Sequence, residues 1–151
     1  MKEILNEGQA AGLYIHVPFC QKKCPYCDFY STADMTLRHR YLNALELEMQ
    51  LTGNLPLVFD TIYIGGGTPS VLEAVAVSQI IENAKNIYNI LPEPEITIEI
   101  NPGTVTLEQL KIYQRSGINR VNIGVQSFRE KNLMFLDRLH TVQAVSYTHL
   151  T

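Results

Sequence analysis

Four short apolar runs, each followed by a loop and then by helical periodicity, set the frame into which this chain can fold. The runs are residues 13–17, 61–64, 96–100 and 121–125. They are rich in Ile, Val and Tyr and of a length that suits strands rather than helices. Between them, Leu37, Tyr41, Leu45 and Met49 recur every four residues within 34–51, which marks one helix face, with Asp34 as its expected N-cap and Gly53 as its stop. Ser70 is expected to cap a second helix, with Val71, Leu72, Val75, Ile80, Ile81, Ala84 and Tyr88 as its apolar surface. Pro92 and Pro94 mark a loop, and Asn101-Pro102-Gly103 ends the third run. Thr106 opens a short helix that closes near Gly117, and a last helix starts near Arg129. Repeated β–loop–α units specify an α/β fold with a parallel sheet and right-handed crossovers. Such a sheet is either open and doubly wound or part of a (β/α) barrel, and in both cases ligands gather at the carboxyl ends of the strands. The uncommon residues fall there: a cysteine loop after the first strand, three glycines after the second, Glu99 and Asn101 at the third, and Gln126 after the fourth.

Composition narrows the function classes. A chain of 151 residues, 46% hydrophobic and 18% charged, suits a soluble globular domain but is too short for a complete eight-unit barrel. The net charge of −3 comes from interspersed residues, so no basic tract points to nucleic acid. No apolar run is long enough for a transmembrane helix. Glu3, Asn6 and Glu7 interrupt residues 1–12, which excludes the apolar core of a signal peptide there and makes a reducing cytoplasm the expected compartment. In that compartment clustered cysteines serve metals or catalysis more often than disulfides.

Cys20, Cys24 and Cys27 are the only cysteines. Their spacing puts three thiolates on one bent segment, restricted by Pro18 and Pro25. Soft thiolates suit an iron–sulfur cluster or zinc and disfavour magnesium or calcium. A [4Fe–4S] cube held by three cysteines leaves one iron without a protein ligand, open to the amine and carboxylate of an external amino acid. A zinc site completed by His16 or another residue is an alternative, giving a zinc-stabilised α/β domain, although His16 taken alone reads as a packed histidine, and three buried, unliganded thiols are the plainest reading. Gly65-Gly66-Gly67 after a strand permits close approach of backbone to a ligand, but the segment lacks the lysine and spacing of a P-loop. Glu99 lies between Ile98 and Ile100, where a carboxylate on a buried strand needs a partner, most simply a salt bridge.

Longer blocks carry a resemblance. Tyr14-Ile-His-Val-Pro-Phe-Cys20, Cys24-Pro-Tyr-Cys27-Asp-Phe29, Ile64-Gly-Gly-Gly-Thr-Pro-Ser70, Thr97-Ile-Glu-Ile-Asn-Pro-Gly103, Asn119-Arg-Val-Asn-Ile-Gly-Val-Gln-Ser-Phe128 and Arg138-Leu-His140 resemble the radical S-adenosylmethionine (SAM) family. The branch is that of the oxygen-independent coproporphyrinogen III oxidases and their heme-chaperone (HemW-type) relatives. By that resemblance the chain is about the first four units of a partial (β/α)6 TIM-type barrel, truncated, with residues 1–144 forming the N-terminal part of the radical SAM core and a C-terminal domain missing. It implies that Cys20, Cys24 and Cys27 hold a [4Fe–4S] cluster. Gly66, Gly67 and Thr68 then meet the methionyl part of SAM through their backbone, the Tyr26 backbone lies against the adenine, and Tyr14, Glu99, Gln126 and Arg138 contact SAM. Asn101, Ser127 and His140 fit the pattern without an implied role.

The implied chemistry starts with one electron from an external reductant. Reductive cleavage of the SAM C5′–S bond then gives methionine and a 5′-deoxyadenosyl radical that takes hydrogen from a substrate, the cofactors carrying the hard step. Oxidases of this branch usually have a further cysteine two residues after the third, where this chain has Phe29. Cys27-Asp28-Phe29 instead resembles the heme chaperones, which bind heme and pass it to client proteins. A heme chaperone is the preferred expectation, a coproporphyrinogen III oxidase acting by oxidative decarboxylation is the alternative, and a radical SAM enzyme on a non-porphyrin substrate is third. Residues 145–151 have no counterpart in the family and read as a translated sequencing-adapter tail, so the natural sequence is expected to end near Ala144. A sheet cut after four strands would leave an unpaired edge, so the chain alone is expected to be poorly soluble and inactive.

Overall fold

The computed structural model describes residues 10–150, with side chains to residue 146. The signal-peptide reading on Glu3, Asn6 and Glu7, and the adapter reading for the side chains of 147–151, lie outside the described residues. Each apolar run is a strand: β1 (Ala11–Val17), β2 (Val58–Gly66), β3 (Asn89–Ile100) and β4 (Arg120–Ile123). All neighbours pair parallel, in the order β1-β2-β3-β4. A parallel step requires a crossover, and α1 (Arg38–Thr52), α2 (Ala74–Ile87) and α3 (Leu107–Arg115) supply the three. Strand order follows chain order without reversal, so there is no topological switch point of the doubly wound kind. The sheet is a segment of barrel wall.

The two faces of the sheet differ in chemistry. Ile15, Val17, Ile62, Ile64, Ile96, Ile98 and Ile100 alternate along their strands and are buried against Met49, Val77, Ile81 and Tyr113 of the helices. Each fully buried isoleucine contributes about 1.5–3 kcal/mol of transfer free energy. The intervening positions face the other way, where Tyr14 registers with Tyr63, His16 with Gly65, and Glu99 with Asn122. This concave face is polar and aromatic. β4 is a short edge strand, with Val121 39% exposed where a further helix would cover it.

Several element boundaries depart from the sequence reading. Asp34 caps a 3-10 turn (Met35–Leu37), with Thr36 N donating to its carboxylate at 3.0 Å, and α1 follows from Arg38 and stops at Gly53. Ser70 caps nothing: it lies inside the 3-10 turn Pro69–Val71, its hydroxyl 2.8 Å from that of Thr104. α2 begins at Ala74, and this phase turns Ala74, Val77, Ile80, Ile81 and Ala84 inward while Val75 is left 68% exposed. Thr106 caps α3 through a reciprocal capping box with Gln109. Pro92 and Pro94 fall within β3, but the register jumps from Phe59↔Ile90 to Thr61↔Glu95. Residues 91–94 therefore bulge out of the ladder, with Glu93 at φ 56°, as prolines without an N–H require. Two further helices follow β4, α4 (Glu130–Phe135) and α5 (Val142–Leu150), and Val145 of α5 is buried. No helix among the described residues is long and apolar enough to cross a membrane.

Candidate cluster and cofactor site

β1 ends at Val17 and the chain leaves the sheet at Pro18 into the cysteine loop. A pair of backbone bonds ties the neck of that loop: Thr32 N donates to Pro18 O at 2.7 Å, and Cys20 N to Thr32 O at 3.0 Å. The end of β2 docks on the same neck, Gly67 N donating to Val17 O at 2.8 Å and Thr68 N to Phe19 O at 2.7 Å. That approach explains the glycine at 67, where a Cβ would stand 2.6 Å from Phe19 O and 3.0 Å from Cys20 Sγ. Gly66 has φ +114°, and a Cβ there would lie 2.7 Å from the His16 ring. Inside the loop, Cys27 N donates to Cys24 O at 3.0 Å, closing a turn between the second and third cysteines. All three thiols are free; Cys20 is buried and the other two are half-buried.

The loop, the glycine segment and the ends of β3 and β4 enclose a cavity of about 420 Å³. The three cysteines line it, together with Gly66, Gly67 and Thr68. Tyr26, Glu99, Gln126 and Arg138 also line it. Tyr14 is not part of that wall: it stacks on Tyr63 with ring centroids 6.0 Å apart, its hydroxyl 3.1 Å from His16 Nδ1. Gln126 sits at φ 63°, an unusual conformation for a non-glycine residue and one that collects at ligand sites. A second cavity of about 330 Å³ shares Cys24, Thr68, Asn101 and Arg138 with the first.

Glu99 resolves its burial without a salt bridge. Tyr63 OH donates to Oε1 at 2.6 Å and Gly66 N to Oε2 at 3.0 Å. Asn122 Nδ2 donates in turn to Tyr63 OH at 2.9 Å. Burial, and then the bond to Glu99, push the Tyr63 phenol above its ordinary value, which keeps it a donor. Arg138 is the second organising side chain. Nη2 donates to Asn101 Oδ1 and, at 2.9 Å, to Gly124 O. Nη1 reaches Tyr26 OH at 3.3 Å and Cys24 Sγ at 3.8 Å. Beside it, Lys22 of the cysteine loop pairs with Asp137.

Phe29, marked in the sequence as the position of the oxidases' further cysteine, also lines the larger cavity, and so do Lys22, Ser31, Asn122 and Gly124, which sequence reasoning did not single out. Asn122 had a readable signal, since it breaks the apolar run of β4 at the alternation that places Glu99 on the concave face. Gly124 had none: its glycine is required by Asn101 Oδ1, 2.6 Å from where a Cβ would be.

These residues fit an iron–sulfur cluster with a bound amino-acid ligand. The donors are three soft thiols on one cavity, and the glycine cradle opposite them would be filled by any side chain at 67. Among the described residues no three His, Cys, Asp or Glu side chains meet at a single ion-sized point; a cube takes one thiolate at each of three separate irons.

The comparisons with known proteins agree with this geometry. The family model described as the Radical SAM superfamily matches residues 14–147. Heme chaperone HemW of Escherichia coli (strain K12) is 42% identical over 138 residues, covering 87% of this chain and 36% of the relative. Heme chaperone HemW of Mycobacterium tuberculosis is 36% identical over 141 residues, covering 89% of this chain and 36% of the relative. The solved structure of coproporphyrinogen III oxidase (HemN) from Escherichia coli, described as a radical SAM enzyme, superposes with a TM-score of 0.81 at 28% identity, over 89% of this chain and 32% of that chain. The chain thus spans about a third of the length of these relatives. With the family pattern running from Tyr14 in β1 past the cysteine loop and the glycine segment into α5, the chain belongs to the radical SAM superfamily.

Proposed function

We propose that Cys20, Cys24 and Cys27 hold a [4Fe–4S] cluster, that SAM binds between it and residues 66–68, and that the parent protein is a heme chaperone. The observation that carries the first two parts is the single cavity on which three thiols, a glycine-lined backbone, a carboxylate and a guanidinium meet. SAM presents a carboxylate, an amine and a sulfonium cation, so a wall offering both Arg138 and Glu99 complements it. When bound, such a cluster supplies the electron for reductive cleavage of SAM. The chain's own contribution is positional. Its loop neck fixes Cys20 against Thr68, Glu99 holds the Gly66 N–H, and Arg138 braces the loop at Tyr26 and Cys24.

The heme part rests on Phe29, which lines the cavity at the position where the oxidase branch resembled here usually carries a further cysteine. It is supported by the HemW relative at 42% identity, against 28% for the oxidase structure. The reading calls for a one-electron reductant, heme as cargo and a heme-accepting client, in the cytoplasm. Anaerobic incubation of the full-length parent protein with coproporphyrinogen III, SAM and reductant is expected to yield no protoporphyrinogen, while heme titration of the same protein saturates. Robust turnover would transfer the protein to the oxidase reading. Reconstituted protein is expected to be brown, with an electron paramagnetic resonance spectrum that changes on adding SAM; a colourless, zinc-bearing protein would remove the cluster altogether.

A further inference from the structure

We infer that Asn101 and Thr68 form a one-way hydrogen-bond relay from Arg138 to Cys20 Sγ, which raises the reduction potential of the group that Cys20 ligates. The inference rests on the proposed reading of Cys20 as a cluster ligand.

The direction of the relay follows from what each group is able to do. A guanidinium only donates, and Arg138 Nη2 donates to Asn101 Oδ1. That fixes the Asn101 amide, because the flipped form would set two donors against each other. Nδ2 then faces Thr68 Oγ1 at 3.0 Å, and an NH₂ also only donates. Thr68 must accept there. Its single hydroxyl hydrogen is left for Cys20 Sγ, 3.7 Å away. Arg138 thus sets the polarity of a chain that ends on sulfur.

The relay is buried and anchored. Thr68 is 5% and Cys20 8% exposed, so the final bond is made in a low-dielectric setting that strengthens it. Asn101 is held at its backbone, Thr104 Oγ1 donating to its carbonyl at 2.7 Å. The guanidinium also touches Cys24 Sγ, so one cation reaches two of the three thiols. Hydrogen bonds to ligating sulfur favour the more negative, reduced cluster and raise its potential.

The test is a potentiometric titration of the anaerobically reconstituted protein, with iron and sulfide content and the visible spectrum measured on each sample. Thr68→Val is expected to keep its iron but to lower the reduced-to-oxidised ratio at a fixed potential by about tenfold, the worth of one hydrogen bond. Thr68→Ser, which keeps the hydroxyl, is expected to titrate as wild type. Asn101→Asp pairs with Arg138 but cannot donate to Thr68, so the threonine hydrogen turns to the new carboxylate and the potential falls. In the Thr68→Val background Asn101→Asp is expected to add nothing, whereas an effect of charge alone would persist there. Iron-loaded Thr68→Val at the wild-type potential would overturn the relay, as would full additivity of the two changes. If Thr68→Val loses its iron, Thr68→Ala, which also lacks the hydroxyl and adds no charge, takes its place against Thr68→Ser, and an iron-loaded Thr68→Ala at the wild-type potential would overturn the relay. A wild-type protein that takes up no iron would overturn the cluster reading itself, before any variant is compared.

Discussion

Arg138 Nη1 stands 3.8 Å from Cys24 Sγ, a contact between residues 114 positions apart in the chain. It joins the segment after β4 to the first loop of the fold, and the neighbouring Lys22–Asp137 pair spans almost the same separation. An exposed pair of that kind contributes little alone. The planar fork of Arg138, with four acceptors in reach, is the stronger tie.

Arg138→Lys keeps the charge and loses the fork, so it separates the two. A lysine is expected to satisfy some of these acceptors but not all, leaving SAM binding weaker by about tenfold, or ~1.4 kcal/mol. Calorimetric SAM titration of the reconstituted protein measures this. Unchanged affinity in Arg138→Lys would mean that charge alone suffices.

Gly67→Ala should be far more damaging than Gly103→Ala. A Cβ at 67 meets backbone, Phe19 O at 2.6 Å, which cannot swing aside, whereas at 103 the nearest atom is 3.7 Å away and only the φ of +75° is strained. Overpacking at 67 is expected to cost about 1–3 kcal/mol or more and to displace Cys20, so that iron is lost on gel filtration. Gly103→Ala is expected to cost about 1–2 kcal/mol and to keep its iron.

Which features were legible in the sequence follows from how local their causes are. The four strands were readable because alternate isoleucines such as Ile62, Ile64, Ile96 and Ile98 need burial whatever surrounds them. The site rim was readable because cysteines, glycines and a lone Glu99 are anomalous at strand ends. Sequential strand order was not readable from the local pattern, since an open and a closed sheet share it; the pairing of β3 with both β2 and β4 separates them. Ser70 was misread as a cap because its partner Thr104 lies 34 residues away. The partners of Glu99 were equally non-local: Tyr63 is a strand apart and Gly66 donates through its backbone, which no side-chain pattern encodes.

Glu99→Gln and Glu99→Ala are expected to divide structure from charge. The alanine strands the Gly66 N–H and the Tyr63 OH, a loss of about 1–3 kcal/mol for buried unsatisfied groups, read by denaturant unfolding. The glutamine can accept from Gly66 with its oxygen and donate to Tyr63 with its NH₂, so its stability should stay within about 1 kcal/mol of wild type. If the carboxylate itself meets SAM, the glutamine variant nonetheless loses SAM affinity. Wild-type SAM binding by Glu99→Gln would reduce Glu99 to a scaffold residue.

His140 gives the fold an acid-side weakness. Its Nε2 lies 3.1 Å from Val125 O, and because a carbonyl only accepts, that nitrogen carries the proton of the neutral ring. Burial lowers its pKa, the bond to Val125 opposes that, and Arg138 lowers it further. The folded value therefore lies below the unfolded one of about 6.5. Between the two, the unfolded chain binds more protons, so stability rises with pH across that interval. The contribution is complete above about pH 6.5 and is lost as pH falls toward the folded value. Asp34, whose carboxyl is held low by the Thr36 hydroxyl, acts in a separate window, at and below about pH 4. Denaturant unfolding of the metal-free protein across both windows is expected to show two declines on acidification, and His140→Gln should remove the upper one alone. An unaltered profile in that variant would place the upper decline on another group.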